Sequence, residues 1–399
     1  MDKSTTAASD PTPSADSRPA PSSGGDLFSL KEMGVYYALI LLIAILAVTT
    51  FYLGRPNYLS LQNISNVLYQ ASLPALIAVS MTVILVSGNF DLSVASFAAL
   101  AAAVLMGTAD SLGFAGAFVL AMLVATLVGL INGSIVQYLG INAFIVTLGT
   151  LTAVRGLVLI YSDGKTLFVS SDQVIAAMKA FETGLVPMAY PLLALGLLLA
   201  IQGAVRIWRD MPFERGRLPA GTGMLVTGLA FVAVVSANGF EVRLGKPVIY
   251  MFAFATAVWL VMNYTNIGRR LYAVGGNPEA ARLSGINVTR YKLLAFALCS
   301  ATAGFAGILF ASRLRSVNPN AMQGLELTVI AAAILGGTSL FGGKGSVAKS
   351  VAGALLLYTL TNGFNIVNLG ANYQGLVEGV VVIAAAAIYT IRGPRARRA

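Results

Sequence analysis

Apolar runs of about membrane-spanning length follow one another along almost the whole chain. A helix that crosses the hydrocarbon core of a bilayer needs about 20 mainly apolar residues. Runs of this kind lie near 33–53, 62–87, 92–107, 113–138, 143–161, 187–207, 222–238, 247–265, 291–313, 326–338, 348–367 and 373–391. Because backbone groups in lipid must be hydrogen-bonded within the chain, runs this long indicate helices. We therefore expect an all-α, polytopic transmembrane protein with about 10–12 spans.

The run 326–338 is short for a complete crossing, and it leads into the glycine-rich stretch LGGTSLFGGKGS. Non-helical backbone at membrane depth is tolerated only where protein surrounds it or where it lines a water-filled cavity. We therefore expect a broken or re-entrant helix at this point of the chain.

The composition agrees with an integral membrane protein. Apolar residues make up 57% of the 399 residues and charged residues 11%, whereas soluble domains are about 45–50% apolar and about 25% charged. The chain has no histidine, which excludes His-ligated metal sites and His general bases, and we expect neither a metal nor a cofactor. Its single cysteine, Cys299, excludes an intrachain disulfide. The net charge of +10 comes from bases clustered in a few loops, so nucleic-acid binding is not expected.

Basic residues mark the loops that stay in the cytoplasm. They cluster in three segments, at 206–217, 269–292 and 392–398. The loop 162–186 mixes acidic and basic residues and is expected outside. Twelve crossings with both termini in the cytoplasm fit all four segments. Residues 1–30 are rich in Ser, Pro, Asp and Ala and are predicted to be a disordered tail. The transmembrane domain then covers 31–392, and a basic tail covers 393–399.

Two short stretches of the sequence indicate an internal repeat. The stretch LINGSIVQYLGIN (130–142) aligns with LTNGFNIVNLGAN (360–372), so that the Asn-Gly pairs coincide. On the predicted topology the two copies run in opposite directions, which is the inverted repeat typical of transporters. Chance similarity between apolar segments is the alternative. The predicted hairpin at about 187–238 has no counterpart in the repeat and is interpreted as an addition to the core.

A polar, helix-prone segment at 268–292 interrupts the apolar runs. Gly275 and Gly276 end one helix, and Asn277 is a plausible N-cap for the next, with Pro278 and Glu279 in its first turn. Gly285 is typical of a helix stop. We therefore predict a two-turn helix at the cytoplasmic surface, with an ordinary solvated loop as the alternative.

This segment carries a resemblance to a known family. The order Glu279-Ala280-Ala281-x-x-x-Gly285 resembles the E-A-A-x-x-x-G motif of permease subunits of ATP-binding-cassette (ABC) importers. The stretches 268–296, 88–96 (GNFDLSVAS) and 335–347 (LGGTSLFGGKGSV) are similar to the monosaccharide permeases of the ribose/arabinose/xylose type, with the D-xylose branch the most similar.

The resemblance implies a type II importer permease in a bacterial inner membrane. It implies a homodimer, an ATPase subunit on the cytoplasmic side and a periplasmic sugar-binding protein. It also implies that the short helix couples the permease to the ATPase, through residues Asn277, Glu279, Ala280, Ala281, Arg282 and Gly285. A nucleotide-binding P-loop of the form G-x-x-x-x-G-K-[ST] is not found, because the nearest stretch, GTSLFGGKGS, has its glycines at other positions. The chain is therefore expected to transport without catalysing a reaction.

Polar residues in or beside apolar runs are candidates for a translocation pathway or gate. They are Asn89, Asp91, Ser93, Asn132, Thr147, Arg155, Asn362 and Glu378. Asp91 either lines a gate or is a plain N-cap. A charge such as Arg155 is costly in a membrane unless it is paired or wet, and Glu378 is one candidate partner. Asn132, Thr147 and Asn362 carry side chains that suit a sugar, because amides and hydroxyls both donate and accept hydrogen bonds.

Two other classes of protein are alternatives. An ion-coupled secondary transporter of a small polar solute would also explain an inverted repeat and broken helices, but not the motif at 279–285. A membrane-embedded enzyme is disfavoured because the sequence has no histidine and no clustered nucleophile and base.

Overall fold

The computed structural model describes residues 30–210 and 221–369, together with residues 373, 375, 376, 379, 380 and 383. The described chain is mostly helical, which confirms the all-α prediction. Its helices are α1 (Leu30–Tyr52), α2 (Leu61–Val86), α3 (Val94–Tyr138), α4 (Ala143–Ser162), α5 (Asp172–Glu182), α6 (Ala189–Asp210), α7 (Thr222–Ala237), α8 (Lys246–Tyr264), α9 (Asn266–Gly276), α10 (Pro278–Leu283), α11 (Val288–Leu314), α12 (Leu325–Leu335) and α13 (Val347–Val367).

Two short antiparallel ladders join connecting segments. Strand β1 (Leu167–Phe168) pairs with β4 (Ser316–Val317). Strand β2 (Leu185–Pro187) pairs with β3 (Arg243–Gly245). Each ladder links parts of the chain that are far apart in sequence, so the ladders hold together segments that connect the long helices.

Eight of the described helices are long and apolar enough to cross a membrane: α1, α2, α3, α4, α6, α8, α11 and α13. Two shorter apolar helices, α7 and α12, occupy the runs predicted at 222–238 and 326–338. The predicted spans 92–107 and 113–138 both fall within α3. Most of the last predicted span, 373–391, lies outside the described residues.

Helix α3 consists of two helices joined at Gly113. Its 45 residues would measure about 68 Å if straight, more than twice the ~30 Å hydrocarbon core. Gly113 has φ 70° and ψ 166°, a conformation that suits glycine. A Cβ atom placed on Gly304 of α11 would lie 3.6 Å from the Cβ of Ala101 and 2.7 Å from that of Ala125. The two halves therefore fold back on the same face of α11, as two separate spans would.

The core is built around α2 and α11. Helix α2 is buried from Ala71 to its last residue, Val86, and packs against α8, α11, α12 and α13. On α11, a Cβ atom on Gly307 would overlap the carbonyl oxygen of Ala98 in α3. Small residues thus bring the backbones of α3 and α11 into contact, which is a common way to pack helices in membranes.

Helix α12 is too short for a complete crossing of the membrane, as the sequence predicts. Its 11 residues measure about 16 Å, about half of the hydrocarbon core. A Cβ atom on Gly353 of α13 would overlap the carbonyl oxygen of Ala332 in α12. The chain returns from α12 to α13 through residues 336–346, which we call the glycine loop.

Helices α6 and α7 form a closely packed pair. A Cβ atom on Gly196 of α6 would lie 2.9 Å from the carbonyl oxygen of Gly228 in α7, and one on Gly203 would lie 2.5 Å from the amide nitrogen of Leu225. These glycines bring the two backbones into contact in the segment that lacks a counterpart in the sequence repeat.

Candidate functional site

The predicted surface helix is present as α10, and its two ends are formed by the expected residues. The side chain of Asn277 accepts a hydrogen bond from the amide of Ala280 at 3.0 Å, which caps the helix. At the other end, the amide of Gly285 donates to the carbonyl of Arg282 at 2.9 Å, and that of Ile286 donates to Ala281 at 3.0 Å. Gly285 has φ 78°, a left-handed conformation that favours glycine.

Helix α10 presents one face to solvent. Glu279, Ala280, Arg282 and Leu283 are exposed, whereas Ala281 is buried against the rest of the chain. The Glu-Ala-Ala order therefore has a local reason: the second alanine is the small residue that seats the helix. The exposed face carries one acidic, one basic and one large apolar side chain, which suits a protein partner.

Backbone contacts join the base of α10 to the end of α2. The amide of Gly343 donates to the carbonyl of Val86 at 2.9 Å. A Cβ atom on Gly275 would overlap that same carbonyl oxygen, and one on Gly342 would lie 2.5 Å from the carbonyl oxygen of Gly275. The Cβ atom on Gly342 would also lie 2.9 Å from the Cα of Gly88. We call these five residues the glycine junction. Because only backbone atoms are in contact there, a change of side-chain rotamer cannot accommodate a displacement of α9 relative to α2.

A buried chain of polar side chains begins just after the junction. Oδ1 of Asp91 accepts hydrogen bonds from the amide of Ser93 at 2.9 Å and from its hydroxyl. The Asn132 amide donates to the Ser93 hydroxyl at 3.1 Å, and the Thr150 hydroxyl donates to Oδ1 of Asn132 at 2.6 Å. These bonds link the start of α3, its end and α4. Asn89 is 6% exposed and lies beside this chain in sequence.

Asp91 is not an interfacial cap. It is fully buried, and its Oδ2 has no hydrogen-bond partner among the described residues. Burial raises the pKa of Asp91 to about 6, against the lowering effect of the hydrogen bonds from Ser93. The first residue of α3 follows Ser93, whose side chain makes no cap. Asp91 is therefore not the N-cap of α3, and its role in a gate stays a prediction.

The proposed sugar-binding trio is not brought together in this chain. Asn132 belongs to the buried polar chain that joins Asp91 and Ser93 to Thr150. Thr147 is buried, and its hydroxyl donates within α4 to Phe144 at 3.4 Å. The Asn362 amide donates at 3.0 Å to Asn63, which lies near the start of α2. Asn132 and Asn362 therefore have different partners, Ser93 and Thr150 for the first and Asn63 for the second.

The Arg155 side chain is hydrogen-bonded to two backbone carbonyls. Its guanidinium donates to the carbonyls of Pro319 and Ala321, both at 2.9 Å, and the side chain is half-buried. Glu326 is a carboxylate that acts on it electrostatically. Glu378, the partner considered from sequence, lies outside the described residues. Arg155 therefore ties α4 to the segment that connects α11 with α12.

The sequence prediction missed a buried ion pair. Nε of Arg313 lies 2.8 Å from Oε1 of Glu182, which is fully buried, and the Tyr69 hydroxyl donates to the same oxygen. The guanidinium lies over the Tyr69 ring at 3.9 Å from its centroid. This cluster joins α2, α5 and α11. The charge of Arg313 at the end of an apolar run was the signal that could have indicated it.

These features define a class: a multi-pass helical membrane protein with a short, exposed, capped helix seated on a central span. Residues 63–386 match the family model described as branched-chain amino acid transport system / permease component, and the chain belongs to this family. The family predicted from the motifs at 88–96, 268–296 and 335–347, that of ABC-importer permeases, is thereby confirmed.

Curated relatives are similar over most of the chain. The ribose import permease protein RbsC of Escherichia coli K12 is 32% identical over 359 residues, which cover 89% of this chain and 92% of the relative. The xylose transport system permease protein XylH of the same strain is 32% identical over 379 residues, covering 92% and 94%. RbsC of Bacillus subtilis is 30% identical, covering 89% and 92%. No solved structure matches the chain.

Proposed function

We propose that this chain is the membrane-spanning subunit of an ATP-driven importer of a monosaccharide, D-xylose, which a periplasmic binding protein delivers. The observation that carries the proposal is α10, a capped and exposed helix whose base is joined by backbone contacts to a central span. The names of the relatives support a pentose as cargo. The xylose relative aligns over the larger share of the chain, 92% against 89%, which favours D-xylose over ribose.

In the proposed mechanism, an ATPase subunit grips the exposed face of α10 and supplies the energy. Its closure displaces α10, and α9 transmits the displacement to Val86 through the glycine junction. The segment that follows Val86 carries Asp91 and Ser93. Its movement loosens the buried polar chain between α3 and α4 and opens or closes the pathway beside them. The permease itself makes and breaks no covalent bond.

The permease forms a homodimer in the bacterial inner membrane, with both termini in the cytoplasm. Residues 1–30 and 393–399 are tails, 31–392 form the transmembrane domain, and the pair around 187–238 is an addition to it. The end of the molecule that carries β1–β4 and α5 receives the binding protein, since it is opposite to α10.

An ion-coupled secondary transporter is the second candidate. The observation that favours it is Asp91, a fully buried carboxyl whose pKa of about 6 lies close to neutral pH. Protonation of such a group can couple a proton gradient to a conformational change. This candidate gives no role to the exposed face of α10.

Reconstitution in liposomes separates the two candidates. We expect uptake of labelled D-xylose only when the ATPase subunit, the binding protein and ATP are all present, and competition by unlabelled ribose to be weaker than by unlabelled D-xylose. Uptake by the chain alone under an imposed proton gradient would establish the secondary transporter instead.

The face of α10 provides a direct mutational test. Glu279→Lys reverses a charge at an exposed position and should reduce uptake by about tenfold or more, the effect of losing about 1.4 kcal/mol of a charged interface contact. Membrane insertion should be unchanged. Glu241→Lys, at another exposed glutamate on the end opposite to α10, is the matched control. Normal uptake by Glu279→Lys would remove α10 from the coupling mechanism.

A further inference from the structure

Two large apolar side chains are exposed more than any others in the described part of the chain. Phe341, in the glycine loop, is 94% exposed, and Leu283, at the end of α10, is 83% exposed. Neither belongs to a helix that crosses the membrane. Leu340, next to Phe341, is also exposed. Exposed apolar side chains that form a contiguous patch outside the spans commonly mark a surface that a partner covers.

The glycine loop and α10 are neighbours. A Cβ atom on Gly343 of the loop would lie 2.6 Å from the Cα of Gly276, the last residue of α9. The Tyr272 hydroxyl of α9 donates to the carbonyl of Gly345 at 2.9 Å. Since only Asn277 separates α9 from α10, the loop lies against the base of α10, and the two exposed patches belong to the same end of the molecule.

The tip of the loop is a defined turn. The amide of Ser339 donates to the carbonyl of Lys344 at 2.9 Å, and the amide of Phe341 donates to the Ser339 hydroxyl at 3.1 Å. Gly342 and Gly343 have φ of 86° and 70°, which close the turn. Phe341 is therefore held outward by a fixed backbone, so that a partner would find it already in place.

Charge identifies the kind of partner. Exposed basic side chains flank the apolar tips: Arg282 on α10, Arg290 at the start of α11 and Lys344 in the loop. An apolar centre with a basic rim fits a protein surface that has an apolar pocket and an acidic border. The face of α10 also carries Glu279, which hydrocarbon would exclude.

We propose that Leu340 and Phe341 form a second docking contact for the ATPase subunit, continuous with Leu283 on α10. This inference rests on the proposed function, because it assigns the glycine loop to the partner that grips α10. The ATPase would then hold both sides of the glycine junction, one through α9 and the other through the connection between α12 and α13. One movement of the ATPase would act on both at once.

Photo-crosslinking in the source cells tests the contact. The photoreactive residue p-benzoyl-phenylalanine replaces Phe341, Leu283 or Leu185 in the full chain; Leu185 is the control, an exposed apolar residue in β2. The membranes are irradiated, and adducts are labelled with 8-azido-ATP to identify an ATP-binding partner. We expect labelled adducts from positions 341 and 283 and none from position 185.

In addition, Phe341→Ser should raise the dissociation constant of the co-purified ATPase subunit by about tenfold, and Leu185→Ser should not.

The outcomes separate the inference from the proposed function. A labelled adduct at 283 without one at 341, or a lipid adduct alone at 341, would overturn the second contact and leave the α10 contact intact. No labelled adduct at either position would overturn both. An adduct at 341 with an unchanged dissociation constant in Phe341→Ser would show proximity without docking and would also overturn the inference.

Discussion

Replacing Gly275 with valine should abolish transport while the protein still inserts into the membrane. The Cβ atom would overlap the carbonyl oxygen of Val86 and would lie 2.8 Å from the amide nitrogen of Gly343. Those two atoms form the hydrogen bond that joins α2 to the glycine loop. Overpacking costs about 1–3 kcal/mol, and an overlap with backbone belongs at the upper end, because no rotamer change can relieve it. We expect α9 to separate from α2 and ATP-driven uptake to fall by about 100-fold.

The neighbouring glycine supplies a matched control. A Cβ atom on Gly276 would meet its nearest neighbour, the Cα of Gly343, at 3.9 Å, an ordinary contact distance. Gly276→Ala should therefore transport at a rate close to that of the unmodified chain. Uptake of labelled sugar and ATP hydrolysis are measured together in liposomes. Normal uptake by Gly275→Val would show that the glycine junction does not transmit movement.

The junction explains how a short surface helix could act on the membrane interior. A side-chain contact can slide or change rotamer, whereas the contact between Gly275 and Val86 cannot. Asp91 lies only five residues beyond Val86 in sequence, and its hydrogen bonds lead to Asn132 and Thr150. In the proposed importer, α10, α9, the glycine junction and the buried polar chain therefore form a continuous series of contacts that reaches α4.

Much of this fold could be predicted from sequence, because its determinants are local. Apolar runs gave the spans, and the gap between 107 and 113 marked the turn at Gly113. The cap at Asn277 and the stop at Gly285 follow from rules that involve only a few neighbouring residues. The shortness of α12 could be predicted because its apolar run, 326–338, ends at a glycine-rich stretch.

The parts of the site that escaped prediction depend on contacts between distant residues. Glu182 and Arg313 are 131 positions apart, and no periodicity relates them. The overlap of Gly275 with Val86 likewise depends on how α9 packs against α2. Thr150 was missed, although it lies three residues after Thr147 on the same helix, because hydroxyls in apolar helices commonly bond to their own backbone. Asn132 and Asn362 correspond in the sequence repeat, but their side chains have different partners: Asn132 bonds to Ser93 and Thr150, and Asn362 bonds to Asn63.

Removing the carboxylate of Glu182 should destabilise the fold more than any surface change. Glu182 is fully buried and holds both Arg313 and Tyr69. Removing one member of a buried ion pair costs about 3–5 kcal/mol, because the other charge is left without a partner. The Arg313 side chain is 21% exposed, which gives water some access. We therefore expect Glu182→Ala to lower the free energy of unfolding by about 3 kcal/mol, the low end of that range.

Two further variants show whether the pair itself is responsible. Lys165→Ala breaks the pair with Asp163, in which both side chains are largely exposed, and should change stability by less than about 1 kcal/mol. The double variant Glu182→Leu with Arg313→Met removes both charges and should recover much of the loss, since an apolar pair can replace a buried ion pair. Unfolding is followed by denaturant titration in mixed micelles. If the double variant is no more stable than Glu182→Ala, the loss comes from packing or from the Tyr69 hydrogen bond rather than from an unpaired Arg313.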